Sequence, residues 1–77
     1  MSRIIEQPAV VVTGPDGTPL LVNGAEILHI QKRFRRWIGA LEGKPKKEIW
    51  KVETTQALLE LHNVMGTSNW TIARQAD

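Results

Sequence analysis

Two turn signals stand close together near the start of the chain, Gly14-Pro15-Asp16-Gly17 and Asn23-Gly24, and they restrict the fold more than any other feature. Proline presets φ for the first central position of a tight turn, and Asp and Gly tolerate the remaining positions. Asn-Gly is the strongest two-residue hairpin signal, because both residues accept positive φ. The flanking runs are short and apolar: Ala9-Val10-Val11-Val12-Thr13 before the first turn and Leu20-Leu21-Val22 between the two. Three strands joined by two tight turns is the reading up to about Gln31.

Residues 27–41 read two ways. Ile27, Ile30, Phe34, Trp37, Ile38 and Leu41 recur at helical steps, with Ala25 and Glu26 suited to a helix start and Gly39 and Gly43 to its end. Yet Ile27-Leu28-His29-Ile30 directly after Asn-Gly is an equally good returning arm of a hairpin. After a loop at Gly43-Lys44-Pro45-Lys46, residues 48–53 alternate cleanly, Trp50 and Val52 on one face, Lys51 and Glu53 on the other. Residues 57–64 fit a short helix, or a strand with Leu59 and Leu61 inward and Glu60 and His62 outward. Met65-Gly66-Thr67-Ser68-Asn69 is a loop by composition. The last segment alternates again, with Trp70 and Ile72 inward.

A length of 77 residues reads as one small domain over residues 1–77, or as a fragment of something larger. Such a domain buries only about 60 to 65% of its unfolded surface, so its core is thin. Three of its four aromatic residues are Trp, which makes each Trp a main packing anchor. The absence of cysteine excludes disulfides and thiolate metal sites, and a small chain without disulfides reads as cytoplasmic. There is no apolar run long enough for a membrane-spanning helix. Glu6, Gln7 and Pro8 interrupt the N-terminal apolar stretch, so it does not read as a signal peptide.

Charge is unevenly distributed. Residues 31–51 hold Lys32, Arg33, Arg35, Arg36, Lys44, Lys46, Lys47 and Lys51 against Glu42 and Glu48, a charge of +6 in a chain whose net charge is +2. The flanks each come to −2, with Arg3 against Glu6, Asp16 and Glu26 on one side and Arg74 against Glu53, Glu60 and Asp77 on the other. Phe34, Trp37 and Trp50 sit inside the basic stretch. A local positive field of this kind attracts polyanions, with Lys and Arg on phosphates and exposed aromatics on bases. Continued as a strand, the segment places Lys32, Phe34 and Arg36 on one face and Arg33, Arg35 and Trp37 on the other. The best candidates for nucleic-acid contacts are Arg33, Arg35, Arg36, Lys46 and Lys47. The competing interpretation is a solvated strand face and loop whose aromatics are buried.

The other side chains support no reaction. His29 and His62 have no partner at metal-ligand or general-base spacing, so His62 reads as an exposed strand residue and His29 as one beside the core. Glu53 and Glu60 do not form a carboxylate pair, and no Gly-rich loop precedes a helix. Asp16 serves its turn. No enzyme, metal or cofactor is expected.

The order of these signals resembles a small bacterial domain of unassigned function, found alone or fused behind Y-family (lesion-bypass) DNA polymerase-like proteins. The residues that carry the likeness are Gly17-Thr18-Pro19, Gly24, Trp37, Trp50-Lys51-Val52, Leu59-Glu60-Leu61, Trp70-Thr71-Ile72 and Asp77. The chain departs from that pattern at Val22 and His62, where the family favours aromatic residues. The resemblance implies an all-β meander and an association with DNA-handling proteins, and it favours a strand over Ile27 to about Phe34. The expectation is thus an all-β antiparallel meander of five or six short strands, able to curl into a small barrel, with at most one short helix. Its expected role is a non-enzymatic accessory module that binds nucleic acid. The alternative is a protein-interaction module that docks a partner on a sheet edge or aromatic face.

Overall fold

A computed structural model describes residues 2–37 and 46–76, with Ser2, Lys32, residues 34–37 and Lys46 described by their backbone alone. Seven strands succeed one another: β1 (Ser2–Ala9), β2 (Val11–Thr13), β3 (Pro19–Val22), β4 (Ala25–Trp37), β5 (Lys46–Thr54), β6 (Leu58–Val64) and β7 (Trp70–Ala76). Among the described residues there is no helix, and so none long and apolar enough to cross a membrane. Of the loop read at residues 43–46, Lys46 instead opens β5, paired with Trp37; residues 43–45, those from 38 to 41 and Asp77 lie outside the described part.

All neighbouring strands pair antiparallel, in the order β1-β7-β6-β5-β4-β3-β2. The two ends of that order, β1 and β2, are separated in the chain by Val10 alone. In a flat seven-stranded sheet the two edges would stand about 29 Å apart at ~4.8 Å per strand spacing. One residue bridges a small fraction of that, at most about 3.6 Å. The sheet therefore curls into a half-barrel, with its two edge strands joined end to end at Val10. Asn23 locks the point where the N-terminal strand changes partner: its backbone N–H donates to the Val10 carbonyl at 2.7 Å, and its Oδ1 accepts the Val10 N–H at 2.8 Å.

Both predicted turns form. Asn23 (φ 49°) and Gly24 (φ 84°) link the paired Val22 and Ala25, the two-residue, positive-φ turn whose twist suits a hairpin. At the first turn the Gly17 N–H donates to the Gly14 carbonyl at 3.0 Å, with Gly17 itself at φ 84°. The Asp16 carboxylate accepts the Thr18 N–H at 3.0 Å and the Thr18 hydroxyl at 2.8 Å.

Residues 27–37 are strand, and the register explains the first of their helix-like steps, from Ile27 to Ile30. The pairing of β4 with β5 shifts by one residue between Ile27 and His29 and again between Ile30 and Lys32. Each bulge adds a residue to the period of two. Inward positions consequently fall three apart: Ile27 opposite Thr54, Ile30 opposite Val52 and Arg33 opposite Trp50. The first bulge also corrects the reading of His29, which pairs with exposed Glu53 and is itself exposed instead of lying beside the core.

Seven strands replace the expected five or six because residues 2–9 add β1. Its alternation is hidden by a bulge between Ile4 and Gln7, where Glu6 takes φ 45°. Bulges and Pro8 both suit an edge strand, since each discourages pairing with another chain.

The core lies inside the curl and draws on every strand. Val22, Trp50, Val52, Leu61, Trp70 and Ile72 form its buried centre, flanked by Ile5, Ala9, Val11, Ile27, Ile30 and Leu59. Trp50 and Trp70 are buried, as their alternation required. Burying each of these larger side chains contributes about 1.5 to 3 kcal/mol, a large share of what a domain this small can accumulate.

Candidate nucleic-acid interface

From Lys32 opposite Lys51 to Trp37 opposite Lys46, the β4–β5 register runs unbroken. It places Arg35 opposite Glu48, Arg36 opposite Lys47 and Trp37 opposite Lys46. Four of the five candidates, Arg35, Arg36, Lys46 and Lys47, thus converge on one end of a single ladder. Lys47 is half-buried and lines a small cleft on the outer face beside His62 and Val64.

Arg33 is placed differently. Its guanidinium carbon lies 4.7 Å from the centroid of the Trp50 ring, a cation–π contact. Its Nη2 donates to Glu48 Oε1 at 3.4 Å, while Trp50 Nε1 donates to Glu48 Oε2 at 3.0 Å. Glu48 and Trp50 are two apart on one strand, so both point the same way, and Arg33 meets them from across the ladder. One carboxylate thereby holds both the indole and the guanidinium, with the Arg33 side chain still 36% exposed. Sequence reasoning identified the charge of Arg33 but missed these partners, because the pairing depends on two bulges.

These three side chains line a cleft of about 330 Å³ on the inner face, at one mouth of the half-barrel. The Gly14–Gly17 turn and the 65–69 loop form its rim. The loop is pinned by Asn63, a buried side chain whose Nδ2 donates to the carbonyls of Thr67 (3.2 Å) and Asn69 (3.0 Å). On the opposite rim, the Thr18 N–H and then the Thr18 hydroxyl hold the Asp16 carboxyl below its ordinary pKa, with a smaller contribution from the charge of Arg33.

The outer face holds contacts that sequence reasoning did not anticipate. Glu60 is opposite Lys51 on one side and Arg74 on the other, so a basic residue from the acidic C-terminal flank joins a row with one from the basic segment. His62 does have a partner: its Nε2 lies 2.7 Å from Glu60 Oε2, both side chains about one-fifth exposed. Glu60-Leu61-His62 was the available signal, since residues two apart on a strand share a face. Among the described residues, no group of three or more His, Asp or Glu could hold a metal ion.

In comparisons with known proteins, no family model, no curated protein and no solved structure matches the chain.

Proposed function

We propose that this chain is a non-enzymatic binding module that takes nucleic acid on the basic end of its β4–β5 ladder. The observation that carries this reading is the register that brings Arg35, Arg36, Lys46 and Lys47 together, within a segment of charge +6. Cations clustered this way neutralise neighbouring phosphates and release their counterions, which is the main source of sequence-independent affinity. No groove-reading helix is among the described residues, so discrimination between duplex sequences is not part of the proposal. Within a cell the module would work in the cytoplasm beside DNA-handling proteins, in keeping with the resemblance to domains that accompany lesion-bypass polymerases.

The test is a gel shift at low salt with a labelled oligonucleotide, comparing wild type with a variant carrying Arg35→Ala, Arg36→Ala, Lys46→Ala and Lys47→Ala. The wild type should bind, and the variant should lose most of its affinity while keeping its thermal midpoint. Wild-type binding that the four changes leave intact would move the site elsewhere. No binding at all would end the nucleic-acid reading.

A second reading, a protein-interaction module, is favoured by one observation. Val10, Val12, Leu20 and Leu28, on or beside β2, β3 and β4, are 49 to 73% exposed. Docking there would be apolar and insensitive to salt. An aromatic docking face is less well supported, because Trp50 and Trp70 are buried.

A further inference from the structure

The cleft at the mouth of the half-barrel takes no part in the proposed phosphate contacts, yet it brings aromatic, cationic and carboxylate side chains together. Its volume of about 330 Å³ suits one small organic group. Trp50 and Trp70 line it together with Val11 and Met65, but both indoles are buried, so neither ring offers a bare face. What the cleft presents instead is the guanidinium of Arg33, seated 4.7 Å from the Trp50 ring centroid and tied to Glu48.

A guanidinium held this way is a planar cation on a fixed support. Part of its conformational entropy is already lost in the free protein, so a ring that stacks on its exposed side incurs little further ordering cost. Arginine planes and bases stack in this manner in single-strand recognition. The carboxylates of Asp16 and Glu48 line the same cleft. They repel a phosphate, while the Asp16 carboxylate can accept from the exocyclic amine of a base. The cations suited to phosphates lie a short way along the same ladder: by strand alternation Arg35 and Lys46 share the face of Arg33 and Trp50, two and four positions away, roughly 7 and 13 Å at ~3.3 Å per residue. Base and backbone would thus have separate places on one hairpin.

We infer that this cleft receives a single unpaired base, stacked on the exposed side of the Arg33 guanidinium, and that the module therefore prefers single strands to duplex. The inference rests on the proposed nucleic-acid binding and names the form of nucleic acid that such binding requires. A base inside a duplex is stacked on both faces and paired, and would have to be flipped out to enter. Amine-bearing bases should be favoured over thymine.

The deciding experiment compares an oligodeoxycytidylate with an abasic strand of equal length, by anisotropy of the labelled strand, for wild type and Arg33→Lys. The cytosine strand should bind wild type on the order of tenfold more tightly than the abasic strand. It alone should quench the tryptophan fluorescence that Trp50 and Trp70 contribute beside the cleft. Arg33→Lys keeps the charge and loses the plane, so it should abolish the difference by lowering the cytosine strand to the affinity of the abasic one. Equal wild-type affinity for the two strands would overturn the base site while leaving the polyanion reading intact. That comparison decides the matter even if Arg33→Lys folds poorly. A difference that survives in a folded Arg33→Lys would place the base elsewhere and also overturn the inference. If neither strand binds, the nucleic-acid reading and the base site fall together.

Discussion

Trp50 joins the core to the cleft. It is 4% exposed, belongs to the buried centre, carries Arg33 on its ring and donates to the Glu48 carboxylate that also accepts from Arg33. Trp50→Ala should cost about 3 to 5 kcal/mol, the range for a large aromatic removed from a core. In so small a domain that approaches the whole stability, and the variant should be unfolded or nearly so in a thermal melt. A normal melting midpoint would mean the indole is not a core group. Alternation made Trp50, Val52, Trp70 and Ile72 legible in the sequence. It failed at Ile49, which falls on the face of Lys51 and Glu53 and is nevertheless 9% exposed. The register sets Ile49 opposite half-buried His62, a neighbour that strand periodicity cannot supply.

At the scale of elements, turns were the most readable feature and bulges the least. Asn23-Gly24 formed the turn its chemistry predicts, because positive φ is a local property of those two residues. Gly24→Ala tests this. An added Cβ would meet nothing within 4 Å, so the whole cost is backbone strain at φ 84°, about 1 to 2 kcal/mol in a urea titration. Gly14→Ala is the control: it carries no positive φ, and its Cβ would meet Asp16 Oδ1 at 3.4 Å and Leu20 at 3.6 Å, ordinary contacts. If both changes cost the same, the strained turn is not what holds β3 to β4. β4 shows why local reading has a limit. Its bulges put Ile27 and Ile30 on one face three residues apart, which is the first step of the helical pattern in the sequence. A bulge depends on the partner strand, so the sequence of β4 alone could not separate the two periods.

For the molecule as a whole, the all-β class was legible and the closure was not. The pairing of β1 with β7 joins residues from opposite ends of the chain, and no local signal encodes it. The same curl brings the Gly14–Gly17 turn to the cleft beside Arg33 and Glu48. The charge pattern was legible, because a +6 segment between acidic flanks needs only counting; the division of its residues between phosphate-facing candidates and an indole-bound Arg33 needed the register. The central claim is that the basic ladder end binds through phosphates, and the salt dependence of wild-type affinity for a single-stranded oligonucleotide tests it most directly. Four contacts, from Arg35, Arg36, Lys46 and Lys47, predict a log–log slope of about −3, near 0.7 per phosphate on a single strand. A slope near zero, or no binding even at low salt, would contradict the account.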